Sequence, residues 1–354
     1  MSTHTAGRGR VLTNVGLLGF SLLLTGATLD VALRFIFPPP IRWTFPQEYY
    51  DFDPEIAHAL HPSQESFTHD KPVSVNSLGL RDREYSPAPE PGLRRVLGIG
   101  DSQTFGNGVE LADTWPKQLE RSLNEKASDG EGEGWEVLNA GIPGTDTWQH
   151  EIWASRLLDA YQPHAVVLAF YVNDVSPSYV PVGNRAQAKT NTFEKRVAYL
   201  LKRSALINIV VQRWAALKHS QRMKKGRAVS EFIVTGDQNE RIERGWQQVD
   251  ESLAAIAALC EERKIAFLLA VLPRRDQVTG VLSSRVYNDR LAEITSRHGV
   301  ARVDVLPDLI EAYGEHGADL FIPWDGHNSP VANRVIGTRI GEQLRRMGSL
   351  VAAR

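Results

Sequence analysis

One cysteine, Cys260, stands in 354 residues, so no disulfide can form within the chain. A single cysteine is compatible with either redox compartment. Cys260 sits in DESLAAIAALCEERK at helical spacing from Leu253 and Ile256. That is the pattern of a small buried hydrophobe rather than of a nucleophile. Neither sign of charge prevails: the formal net charge is -2. The chain therefore lacks the basic excess of a nucleic-acid-binding domain, and no nucleic-acid partner is expected. The glycine-rich stretch GIGDSQTFGNG (98–108) contains no Gly-Lys-Ser/Thr, and Gln103 stands where a dinucleotide fingerprint would place glycine. Nucleotide binding is disfavoured on both counts, and no cofactor is expected.

What the chain does have is an uncharged run. Between Arg10 and Asp30 lie 19 residues, VLTNVGLLGFSLLLTGATL. As a helix they cover about 28 Å, close to the thickness of a bilayer core. A cleavable signal peptide is the rival reading, but its apolar region is usually shorter and no clear small-x-small cleavage site follows. Arg8 and Arg10 precede the span. Their position favours a cytoplasmic N-terminus and a main domain on the outer face, periplasmic or extracellular in a bacterium.

The organisation follows from composition and period. Residues 1–38 read as a cytoplasmic stub and transmembrane anchor, ended by Pro38, Pro39 and Pro40. Residues 39–93 have no sustained period and read as an irregular linker packing on the main domain, with SVNSLGLRDREY at 74–85. Residues 94–350 read as the main domain. Strand candidates are 94–100, 135–141, 165–172, 265–273 and 300–306, all short apolar runs suited to strands buried on both faces. Helical stripes alternate with them: Trp115, Leu119 and Leu123; Ile242, Trp246, Val249, Leu253 and Ile256; Val331, Val335, Ile340 and Leu344. Alternating β and α units predict an α/β fold with a parallel sheet. DGEGEG (129–134) reads as a surface loop. An insertion at about 186–227 carries a basic amphipathic helix, which could lie on an anionic membrane or simply pack on the domain.

Four short motifs carry chemistry. Ser102, in the strand-to-helix turn after 94–100, is placed as a nucleophile at the top of the sheet, with backbone N–H groups nearby for an oxyanion. In NAGIPG (139–144), Gly141 can bring its N–H close to a ligand. In YVND (171–174), Asn173 offers an amide donor suited to a developing oxyanion, and Asp174 orders the loop. In WDGHNSP (324–330), His327 would take the serine proton and Asp325 would orient its imidazole. All four fall at the carboxyl ends of strands or in a comparable loop, the edge at which open α/β sheets bind ligands.

Ser102 in GDS, Gly141, Asn173 before Asp174, and His327 match in order the four blocks of the SGNH/GDSL hydrolase superfamily, which the chain resembles over about residues 94–347. The anchor and NSLGLRD resemble its membrane-tethered bacterial members, some linked to envelope or exopolysaccharide modification. The resemblance implies a flavodoxin-like three-layer sandwich with a five-stranded parallel sheet. It also implies an oxyanion hole of Ser102 N–H, Gly141 N–H and the Asn173 side chain. Three departures stand out: Gln103 for the usual Leu, Tyr171 where Gly is common, and an acidic partner two residues before the histidine instead of three. That last spacing also occurs in acetyltransferase-like members.

The expected activity is a serine-dependent ester hydrolase or O-acyltransferase, using Ser102, His327 and Asp325 on acyl esters, O-acetyl above all, of envelope glycans or lipids. Two other readings remain. One is a non-catalytic glycan-binding module on the same fold, which would be expected to have lost the serine or the histidine. The other is a metal-dependent phosphodiesterase using Asp101, Asp174, Asp325 and His327, residues not set in a ligand motif such as His-x-x-x-His or Asp-x-Asp. No metal site is therefore expected.

Overall fold

The computed structural model describes residues 4–36, 44, 46–127, 134–175, 197, 204–207, 209–210, 229–237, 239–322 and 325–348. By its contacts the chain divides into two units: Met1–Trp43 with Phe193–Lys225, and Thr44–Thr192 with Gly226–Arg354.

In the first unit, helix α1 runs from His4 to Ile36. Its segment Thr13–Leu33 has a mean hydropathy of 1.7 over its most apolar stretch, and is long and apolar enough to cross a membrane. Near its end, Asp30 Oδ1 accepts from Ser204 Oγ at 2.6 Å and from the N–H of Leu206 at 3.2 Å. Ser204 Oγ accepts in turn from the N–H of Ile207 at 3.1 Å. The two side chains satisfy N–H groups that the start of a helical turn leaves without partners. The basic helix expected across 186–227 otherwise lies outside the described residues, as does the loop 129–134 up to Gly134.

The second unit is built on five parallel strands: β5 (Leu93–Gly100), β6 (Gly134–Gly141), β7 (Ala165–Phe170), β8 (Ala266–Val271) and β9 (Ala301–Asp304), in the order β6-β5-β7-β8-β9. Side chains alternate across the sheet. Leu97, Ile99, Leu138, Val166, Leu168 and Leu269 join one core, under α4 (Thr147–Tyr161), α6 (Glu240–Glu262) and α8 (Val286–Arg297). Val96, Val137, Val167, Leu268 and Val303 join the other, under α3 (Trp115–Ala127), α9 (Leu306–His316) and α10 (Pro330–Arg346). Burying each such side chain contributes about 1.5–3 kcal/mol. This is the expected three-layer sandwich, and the predicted helical stripes are its inner faces. In α10 the fully buried row is Ala332, Ile336, Ile340 and Leu344, with Val331 and Val335 half-buried beside it. Cys260 lies in the first core, where burial pushes its thiol up to about 12.

Two expectations need correction. Strand β7 stops at Phe170, not at residue 172, because Asp174 Oδ2 accepts the Tyr171 N–H at 3.0 Å and Val172–Val175 turns into a 3-10 helix. Residues 50–74, read as irregular, form two short hairpins: β1 (Tyr50–Asp53) with β2 (Ala57–Leu60), and β3 (Glu65–Thr68) with β4 (Lys71–Ser74). Strands of four residues with mixed polarity leave no period to detect. Helix α5 (Val229–Thr235) precedes α6, and a single turn, α7 (Arg275–Val278), follows β8.

Candidate active site

At the carboxyl edge of the sheet, β5 passes through Asp101 into the short helix α2 (Ser102–Phe105). Asp101 caps it: Oδ1 accepts the Gln103 N–H at 2.8 Å. Ser102 is the first helical residue, so its own N–H has no acceptor within the helix. The turn is held from behind by Trp115, whose Nε1 donates to Thr104 Oγ1 at 3.2 Å.

The loop carrying the histidine is closed on itself. Ile322 N–H donates to the His327 carbonyl at 2.8 Å, and the Asp325 and Gly326 N–H groups donate to the Ile322 carbonyl. Ser329 then caps α10, with Pro330 in its first turn. The loop is fastened to the nucleophile turn by Gln103, whose Oε1 accepts the Asn328 N–H at 3.2 Å.

These two loops bring the predicted residues together. Ser102 Oγ lies 2.8 Å from His327 Nε2, and Asp325 Oδ1 is hydrogen-bonded to His327 Nδ1. A carboxylate can only accept, so the proton sits on Nδ1 and Nε2 is free to accept from the serine. Burial works to lower the His327 pKa, but the hydrogen bond and charge of Asp325, with the charge of Asp101, outweigh it and hold it above its ordinary value. Asp325 is held well below the usual carboxylate range: burial opposes ionisation, and hydrogen bonds from His327 and His69 overcome it.

Asn173 comes to the same edge. Its Nδ2 donates to Asp101 Oδ2 at 2.9 Å, which leaves its second amide hydrogen. Asp174 is buried and faces its own loop, and burial raises its pKa well above the usual range.

Gly141 is placed differently from the expectation. It is buried, and its N–H donates to Asn139 Oδ1 at 3.2 Å instead of facing a ligand. A Cβ there would stand 2.1 Å from the Phe105 nitrogen, so glycine is required for α2 to pack against β6. The exposed glycine of the same motif is Gly144.

Two residues escaped the sequence reading, both from the segment expected to be a linker. His69 Nε2 lies 2.9 Å from Asp325 Oδ2, on the oxygen that His327 does not use. Arg81 of NSLGLRD is fully buried and donates to four carbonyls: Phe105 at 2.8 Å, Gly106 at 2.7 Å, Val109 at 2.7 Å and Pro72 at 3.1 Å. It ties the end of α2 to the β3–β4 hairpin. Lone arginines and histidines in an aperiodic segment give no spacing signal; the repeated basic-acidic pattern around NSLGLRD was the available hint. Among the described residues no group of three or more His, Cys, Asp or Glu side chains could hold a metal ion.

Residues 99–335 match the GDSL-like lipase/acylhydrolase family. The chain belongs to that family. It is accordingly a serine ester hydrolase, as the site's residue types had suggested. No curated protein sequence matches it. Among solved structures it is similar to TesA, at 16% identity and a TM-score of 0.42 over 72% of this chain and 99% of that one. It is also similar to the psychrotrophic esterase EstA from Pseudoalteromonas sp., at 13% identity and a TM-score of 0.41 over 72% and 99%. A variant of Axe2, an acetyl xylan esterase from Geobacillus stearothermophilus, is similar at 14% identity and a TM-score of 0.41 over 71% and 94%.

Proposed function

We propose that Ser102 attacks an ester carbonyl while His327 takes its proton, and that Asp325 holds the imidazole and stabilises its charged form. The carrying observation is the 2.8 Å contact of Ser102 Oγ with His327 Nε2, backed by Asp325 on Nδ1. The acyl group moves to Ser102, and His327 returns the proton to the departing alcohol. The Ser102 N–H and the second amide hydrogen of Asn173 receive the oxyanion. Water then frees the acid; a sugar hydroxyl in its place makes the enzyme an O-acyltransferase. The family membership supports acyl chemistry. The apolar helix α1 supports a membrane anchor, and Arg8 and Arg10 before it favour the catalytic domain on the outer face, where O-acetyl esters of envelope glycans or lipid esters are the accessible substrates. Full-length protein in detergent should release p-nitrophenol from p-nitrophenyl acetate, with activity undiminished by EDTA. With acetylated polysaccharide, free acetate marks a hydrolase and an acetylated acceptor marks a transferase. Loss of activity in EDTA would favour a metal-dependent mechanism instead.

A further inference from the structure

We propose that His69 is a positioning residue that acts on the Ser102–His327 pair by fixing the Asp325 carboxylate from the side opposite His327. This rests on the serine mechanism proposed above.

Asp325 offers one oxygen to each imidazole: Oδ1 to His327 and Oδ2, at 2.9 Å, to His69 Nε2. A carboxylate held at both oxygens cannot turn about its own axis without breaking one of the two bonds. His69 therefore sets the plane in which Asp325 meets His327. Its side chain is only 6% exposed, so the contact is shielded from competing water.

The backbone around His69 is arranged to deliver that ring. His69 opens the two-residue turn between β3 and β4 and has φ +55°, a left-handed conformation uncommon for a residue with a Cβ. Strain of this kind persists where the surroundings enforce it, and it clusters at functional sites. Here Gln47 brackets the residue: its Oε1 accepts the His69 N–H at 3.1 Å and its Nε2 donates to the His69 carbonyl at 2.8 Å. The neighbouring Thr68 binds the nucleophile loop directly, donating to Asn107 Oδ1 at 2.6 Å and accepting from the Gly108 N–H at 3.1 Å. Gly108 has φ +75°, and a Cβ on it would come within 2.5 Å of His69 Nδ1. The last glycine of GDSQTFGNG thus makes room for the histidine. Charged groups facing His69 include Asp325 and the carboxylate of Glu48.

Two substitutions separate positioning from packing. Asn tolerates a left-handed backbone but is too short to reach Asp325, so His69→Asn removes the donor and keeps the turn. His69→Gln restores an N–H donor at about the reach of Nε2. Three quantities are read on full-length protein in detergent: kcat and KM for p-nitrophenyl acetate, the melting temperature, and the His327 pKa by NMR with labelled histidine. His69→Asn should lower kcat roughly 10- to 100-fold with KM nearly unchanged. The His327 pKa should fall toward its ordinary 6.5 as Asp325 swings away. His69→Gln, where folded, should recover most of both. A His69→Asn protein with a lower melting temperature but unchanged kcat and His327 pKa overturns the proposal, as does a folded His69→Gln protein as impaired as the Asn variant. If the wild type hydrolyses no ester, the serine reading fails by itself, and the His327 pKa alone then decides whether His69 positions Asp325.

Discussion

Gln103 Oε1 accepts the Asn328 N–H at 3.2 Å, so the residue after Ser102 fastens the residue after His327. This bond helps set the separation of Ser102 and His327. Leu at this position would leave the buried Asn328 N–H without an acceptor, which costs about 1–3 kcal/mol. Gln103→Leu should lower the melting temperature and reduce kcat several-fold. Gln103→Glu, which retains an acceptor, should keep more of the activity; steady-state kinetics on the two variants checks this.

The pH dependence follows from the sign of the His327 shift. The base works only when neutral, and Asp325 and Asp101 hold its pKa above the ordinary 6.5. The acid limb of kcat/KM should therefore lie above pH 6.5 and activity should rise through it toward alkaline pH. Asp325→Asn removes the negative charge beside Nδ1 and lets an amide N–H donate to that nitrogen, so the limb should move to lower pH while kcat drops roughly 10³–10⁴-fold. A pH–rate profile of both proteins tests the direction.

Asn173 Nδ2 donates to Asp101 at 2.9 Å, and the proposed mechanism uses its second amide hydrogen as an oxyanion donor. Loss of one oxyanion donor lowers turnover roughly 10²–10³-fold. Asn173→Ala should show that loss in kcat with KM nearly unchanged, and Asn173→Asp should be at least as damaging because a carboxylate would face Asp101 and the oxyanion. If melting temperature falls while kcat per folded molecule stays normal, Asn173 acts only on the loop.

Arg81 places a buried cation among four carbonyls. Arg81→Leu would take a donor from all four, leaving Phe105 only its Asn139 Nδ2 bond and Gly106 only its Val109 N–H bond, a loss of at least about 3 kcal/mol. Arg81→Lys should be nearly as destabilising, since one ammonium cannot span the fork of a guanidinium. Urea denaturation of the two variants measures the difference.

The sheet and helices were legible because their cores obey simple periods: Val96 and Leu97 point to opposite faces, and Trp115, Leu119 and Leu123 share one. The meeting of Ser102, Asp325 and His327 was legible because Ser102 stands in a short motif at a strand end and the other two in a short motif in the loop before α10. Gly141 misled because glycine serves close packing as well as ligand approach, and only the 2.1 Å distance to Phe105 distinguishes them. His69 was hidden because it acts from a hairpin turn far away in sequence, and the signal is a backbone angle, not a residue pattern.

The central claim is that Ser102 and His327 act as one unit. Its most direct test is p-nitrophenyl acetate turnover by Ser102→Ala, His327→Ala and the double variant, each confirmed folded by its melting curve. Each single substitution should lower kcat at least about 10³-fold, and the double variant should be no worse than either. A folded Ser102→Ala protein that turns over ester at the wild-type rate would contradict the account.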